Sequence, residues 1–117
     1  MSDKKVALFG FNGEQMCFVH VLLNALDYHE KGWEAAIIVE GSATKLLPDL
    51  ATEGNPFHKL YAKARDAGLF AGACRACSAK MGVLDEVRDL GFALLDDMSG
   101  HPSISGFQER GYTVITF

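Results

Sequence analysis

The stretch AGACRACSAKMG, residues 71–82, sets two of the chain's three cysteines, Cys74 and Cys77, in a C-x-x-C spacing. That spacing serves three chemistries: half of a metal clip, a dithiol redox pair, or one working thiol beside an incidental neighbour. A closed zinc site takes four ligands, and this pair supplies two. The chain has no second C-x-x-C, and His20, His29, His58 and His101 are scattered rather than paired at ligand spacing. The sequence therefore assigns no metal ligand. As a redox pair, cysteines three positions apart on a helical turn are close enough to bridge. A thioredoxin-like site, however, would want the motif after the first strand, and here it follows the third. As a single nucleophile Cys74 is the better placed, with Cys77 one turn further on. The plain alternative is that both are small buried apolar side chains, as most free cysteines are.

Other polar residues gather in short segments. Asn12 and Gly13 follow the first apolar run, Glu40-Gly41-Ser42 the second, and Asp96, Asp97, Met98, Ser99 and His101 the fourth. His101 can serve a thiol as base or hydrogen-bond partner. Asp97 can polarise a ligand and Arg75 can attract an anion. With Asn12 and Gly13 these form the candidate ligand-binding set. Each also has a plainer role, as a solvated loop histidine, an acid capping a turn, or a glycine making one. GFNG after the first strand is not G-x-G-x-x-G, and no Walker sequence occurs, so dinucleotide and P-loop readings lack support. Cys17 and His20, inside EQMCFVHVLL, read as core and core-edge residues. Trp33 begins a strand.

The elements that must position these residues alternate along the chain. KKVALFGF (4–11) is apolar without polar alternation, as a strand covered on both faces would be. Asn12 and Gln15 form the pattern of a capping box, opening a helix to about Glu30 with Phe18, Leu22, Ala25 and Leu26 on one stripe. WEAAIIVEG (33–41) reads as a second strand, followed by a short helical ATKLL capped by Ser42 and a loop over 48–56. Asn55-Pro56 opens a helix over 56–67, with Phe57, Leu60, Tyr61 and Ala64 on its inner face. LFAGA (69–73) is the third strand. A helix from Cys74 to about Lys80, another carrying Leu84, Val87 and Leu90, a strand FALLDD (92–97), a helix in SISGFQERG and a last strand YTVITF complete the chain. Strand–helix alternation with short connections implies parallel pairing. The predicted class is α/β: one domain over 1–117, with a five-stranded, mostly parallel sheet and helices on both faces.

In such sheets ligands bind beyond the carboxyl ends of the strands, which is where the cysteines and polar segments fall. A thiol opening a helix meets free N–H groups and the positive end of the dipole, with Arg75 and Lys80 nearby. The expectation is a nucleophilic Cys74 of lowered pKa.

At 117 residues and a formal net charge of −4, with no Lys/Arg run, the chain lacks the charge to neutralise a phosphate backbone, so no nucleic-acid partner is expected. The short apolar run after Lys4-Lys5 is too brief for a leader core or a membrane span. A cytoplasmic compartment with reduced thiols is expected.

A strand leading into Cys74, small residues after it, Gly82 eight positions on, the N-terminal strand–loop–helix and the ending GYTVITF together resemble the DsrE-like proteins, small cytoplasmic α/β proteins of sulfur relay. The resemblance covers nearly the whole length as an arrangement, and is motif-like over 71–82 and the last strand. It implies a persulfide carrier or sulfurtransferase needing no cofactor, with Cys74 matching the sulfur-bearing cysteine. The partners implied are a sulfur donor and an acceptor, proteins or small persulfides. It also implies a homotrimer or homohexamer, in keeping with Phe11, Phe57, Phe70 and Phe107 at element ends and loops. Cys77 departs from the pattern, standing where many relay proteins carry a small residue. The alternative function is a non-enzymatic binding module whose crevice holds a small anion or a metal.

Overall fold

The computed structural model describes residues 3–117. Its strands are β1 (Lys5–Gly10), β2 (Glu34–Val39), β3 (Phe70–Cys74), β4 (Leu94–Leu95) and β5 (Tyr112–Thr116). They form one sheet in the order β4-β3-β2-β1-β5, and every pairing is parallel. The chain thus walks outward from β1 to β4 and returns to lay β5 on the other side of β1. The helices are α1 (Gln15–Glu30), α2 (Leu46–Leu50, preceded by a 3₁₀ turn Gly41–Lys45), α3 (His58–Asp66), α4 (Arg75–Lys80), α5 (Leu84–Asp89) and α6 (Ile104–Glu109).

The apolar runs of β1 and β2 follow from burial on both faces. Val6 and Leu8 point into the main core with Ile37, Val39 and the α1 stripe of Phe18, Val21, Leu22 and Ala25. Tyr61 and Ala64 of α3 complete that layer. Ala7 and Phe9 point the other way, to a smaller cluster with Ala36, Ile38 and Phe107 of α6. There Phe107 meets Phe9 and Tyr112 edge-on, at ring-centre distances of 5.5 and 5.4 Å. Both faces therefore carry helices, but unequally: one has a full layer and the other a single helix of six residues.

Several local features differ from the sequence expectations. Asn12 Oδ1 accepts a bond from the Glu14 N–H at 2.8 Å. With its side chain engaged in that turn, the cap of α1 passes to Glu14, whose carboxylate accepts from the Met16 N–H. Gln15 instead accepts from Asn55 Nδ2, across to the loop before α3. Ser42 lies inside the 3₁₀ turn and donates to the Phe11 carbonyl rather than capping a helix. The helix of 46–50 runs through Pro48, which stands in the first turn where a missing N–H costs nothing. Asn55 Oδ1 accepts from the Phe57 N–H, so α3 starts at His58. Of FALLDD only two residues pair as strand, because the Asp96 carbonyl is drawn into a turn by the Gly100 N–H.

Next to the cysteines β3 carries a bulge. Ile37 pairs with Phe70 and Ile38 with Gly72, which leaves Ala71 as the extra residue. At Gly72 a β-carbon would stand 2.6 Å from the Ala93 carbonyl oxygen, so only glycine lets β4 approach. Of the four phenylalanines at element ends and loops, Phe11 is exposed. Phe57 and Phe70 pack at the edge of the main core and Phe107 is buried. Among the described residues no helix is long and apolar enough to cross a membrane.

Candidate thiol site at the carboxyl edge of the sheet

Cys74 is both the last residue of β3 and the N-cap of α4, its Sγ accepting from the Cys77 N–H at 3.3 Å. Strand order brings the end of β2 alongside. Glu40, the next residue after β2, donates its N–H to the Gly10 carbonyl and is buried, at 6% exposure.

The fourth contributor arrives on a hairpin turn. Met98 and His101 exchange two backbone bonds of 2.7 and 2.9 Å. Ser99 and Gly100 between them both have positive φ, 51° and 89°, as a type I′ turn requires. The Gly100 carbonyl accepts from the Ala76 N–H at 2.9 Å, which fastens this turn to the start of α4. His101 is thereby set over the cysteines. Its Nδ1 lies 3.1 Å from Cys74 Sγ, 3.7 Å from Cys77 Sγ and 4.0 Å from a Glu40 carboxylate oxygen.

The thiols are free and differ in access. Cys74 is fully buried and Cys77 half-buried. On the other side of His101 and Glu40 opens a hollow of about 640 Å³, which these two line with Phe11, Met98 and Ile104, among others.

The expected low pKa of Cys74 is not what this environment produces. Burial pushes the thiol up to about 12, the Cys77 N–H pulls it down, and the Cys77 thiol and Glu40 add to the rise. The helix-start bond is present, but removal from water outweighs it. Arg75 and Lys80 point to solvent, where their charge is screened. Glu40 is likewise raised by burial, opposed by His101 and by a hydrogen bond from Cys74.

Of the residues singled out in the sequence, the fold brings Cys74, Cys77 and His101 together. It leaves the others apart. Asn12 is exposed and lines a separate hollow with Cys17, His20, Asn24 and Phe117. Gly13 packs so closely on Ser42 that a β-carbon would meet its Oγ at 2.6 Å. Arg75 and Asp97 are exposed. Glu40 was among the edge residues but not among the candidates. Its signal was a lone carboxylate closing the apolar run AAIIV at a strand's carboxyl end.

The class of protein so defined is a parallel α/β domain whose sheet edge joins two thiols, an imidazole and a carboxylate. The chain is 33% identical over 97 residues to an uncharacterized protein of Methanocaldococcus jannaschii, a match covering 83% of this chain and 77% of that one. It belongs to the same family. An uncharacterized protein of Archaeoglobus fulgidus is 41% identical over 61 residues, 52% of this chain and 98% of its own length. No family model matches the chain, and no solved structure does.

Proposed function

We propose that this protein is a cysteine-based sulfur carrier or sulfurtransferase of the DsrE-like kind, holding sulfane sulfur as a persulfide on Cys74. The observation that carries the reading is the thiol pair sharing one imidazole nitrogen, at 3.1 and 3.7 Å, with one cysteine buried, the other half-buried, and His101 itself lining an open hollow.

The difference in access orders the steps. The Cys77 thiolate attacks the outer sulfur of a donor persulfide, R–S–SH. A Cys77 S–S bond forms, the donor S–S bond breaks, and the donor leaves as a thiolate that takes up a proton. Cys74 then gives its proton to His101 Nδ1, when that nitrogen is the unprotonated one, and attacks the same outer sulfur. Cys77 leaves as a thiolate, and Cys74 holds the sulfane sulfur away from water and stray thiols. Delivery to an acceptor thiol runs the two exchanges backwards. Sulfur moves without net oxidation, and no cofactor enters.

Mass spectrometry after incubation with polysulfide tests this. The expected result is one added sulfur atom on the 74–77 peptide, lost in Cys74→Ala with Cys77→Ala and kept in Cys17→Ala. Cys77→Ala alone should slow loading and Cys74→Ala alone should leave a short-lived adduct. A folded protein that takes up no sulfur from polysulfide or a protein persulfide would overturn the reading.

The carrier is further proposed to be a cytoplasmic homotrimer or homohexamer exchanging sulfur with donor and acceptor proteins or small persulfides. Support for assembly comes from Phe11 and Met98, 37% and 50% exposed at the rim of the hollow, and from Met16 and Leu23 on α1. Light scattering after size exclusion should give three or six chains, and a monomer mass at micromolar concentration would remove this part.

A further inference from the structure

We propose that Cys74, Cys77, His101 and Glu40 together form a binding site for a thiophilic divalent cation of the zinc type. Two thiol sulfurs, an imidazole nitrogen and a carboxylate oxygen converge from three segments far apart in sequence, and all four donor atoms lie within 4.8 Å of one another. The sequence count stopped at two ligands. The fold supplies the other two.

The spacing suits a single ion. With metal–sulfur and metal–nitrogen bonds of zinc length, a tetrahedral centre sets sulfur and nitrogen roughly 3.6 Å apart. The two sulfur–nitrogen distances here, 3.1 and 3.7 Å, bracket that value. The imidazole nitrogen and carboxylate oxygen, 4.0 Å apart, need to close by only about half an ångström to share the ion.

The donor set decides the class of cation. Two thiolates with one imidazole select zinc and its chemical neighbours over magnesium and calcium, which want oxygen donors. The framework is rigid where the sulfurs sit, because Cys74 is fixed by the end of β3 and by the Cys77 N–H. It is also held where the imidazole sits, because the hairpin turn is bonded to α4 through Ala76 and Gly100.

Glu40 gives an independent pointer. A carboxylate at 6% exposure closes an apolar strand and faces an imidazole nitrogen 4.0 Å away, with the Cys74 thiol beside it. Burial of that kind is costly unless the charge is paired, and a divalent ion shared with two thiolates pairs it. Glu40 and His101 also line the open hollow, which gives the ion a way in. Binding replaces two S–H bonds by two metal–sulfur bonds and releases the thiol protons to solvent, so affinity falls as the solution is acidified.

This site does not depend on sulfur transfer. A bound ion occupies both thiols, so it would exclude persulfide from them and hold the carrier inactive. Titration of the reduced, chelator-treated protein with cobalt(II) tests it, using the thiolate-to-cobalt absorption band. One cobalt per chain is expected, displaced by one zinc, with protection of Cys74 and Cys77 but not Cys17 from alkylation. Cys74→Ser and Cys77→Ser should abolish the band. His101→Ala should weaken binding by more than the roughly 10–100-fold that loss of an outer-shell partner costs. Glu40→Gln, which keeps shape and hydrogen bonding, should weaken zinc binding at least about tenfold on the same scale. Circular dichroism confirms that each variant is folded. Absence of stoichiometric binding in the folded wild-type protein, or affinity unchanged in both His101→Ala and Glu40→Gln, would overturn the proposal. Sulfur uptake from polysulfide by the metal-free protein, measured in parallel, reports on the carrier reading separately.

Discussion

The two faces of the sheet do different jobs. On one, α1, α3 and the short helices around Leu46, Leu47 and Val87 lay a continuous apolar layer over Val6, Leu8, Ile37 and Val39. On the other, α6 alone covers Phe9 and Ile38 with Phe107. Phe11 and Glu40 follow the residue alternation of the thinly covered face, and the hollow they line with His101 is walled partly by α6. A layer that excludes water fixes strand register, whereas a site that must admit a partner needs a face left partly open. Here one sheet supplies both by dividing its cover unevenly.

Substitutions should separate the faces. Phe18→Ala removes a ring buried in the thick layer and should cost about 3–5 kcal/mol of unfolding free energy in urea titration. While the protein remains folded, the order in which its thiols react should not change. Gly72→Ala should cost less, about 1–3 kcal/mol. It should disturb the site more, because a β-carbon there collides with the Ala93 carbonyl and Leu95 and displaces β4 just ahead of the hairpin. Faster alkylation of Cys74 in Gly72→Ala than in Phe18→Ala, at matched fractions unfolded, is the expected signature. The reverse order would remove the division of labour.

Within the native protein the contrast sharpens to two atoms. Iodoacetamide at pH 8 should modify Cys77 well before Cys74, which should react only when the chain is unfolded. Burial both hides that sulfur and raises its pKa to about 12. Peptide mapping that finds Cys74 labelled as fast as Cys77 would contradict the assignment of Cys77 as the point of entry.

The smallest effect lies at the far end of the thin face. The Tyr112 hydroxyl donates to Glu34, and this bond, with burial second, raises the tyrosine above its usual value. Because the folded pKa is the higher, the stabilisation is whole below about pH 10 and is lost as pH rises through the folded value. Tyr112→Phe should therefore be slightly less stable at neutral pH and should lose less on going to pH 11. Equal alkaline losses in both proteins would show that the bond contributes nothing.

The alternation of apolar runs and helical stripes made the fold class legible, since strands buried on both faces show no polar alternation and α1 shows its stripe plainly. At the start of α1 two turns compete for one side chain. Asn12 suits a cap by type, yet the turn before α1 takes its oxygen and the cap falls to Glu14. Pro48 reads as a breaker, but in a first turn it breaks nothing. At the site, Cys74, Cys77 and His101 were nameable because their residue types carry chemistry alone. Glu40 was not, because a carboxylate gains its meaning here only from burial and from the sulfurs across from it. The lowered pKa expected for Cys74 failed for the same reason: helix-start geometry is local and visible in sequence, while loss of solvent is a property of the whole fold.

The hairpin turn that delivers His101 also sets when the site comes into being. Cys74 and His101 are 27 residues apart in the chain, and during synthesis the cysteines are made first. Until residue 101 has been made and the turn has closed against Ala76, neither thiol has its imidazole, and Cys74 lacks the cover that later hides it. Contacts between distant residues form late, after the local ones. A newly made chain therefore carries ordinary, unguarded thiols, and reactivity is handed over from solvent to the protein only as folding ends. Oxidants met during that interval can divert the cysteines, whereas the same oxidants met afterwards find one of them already enclosed.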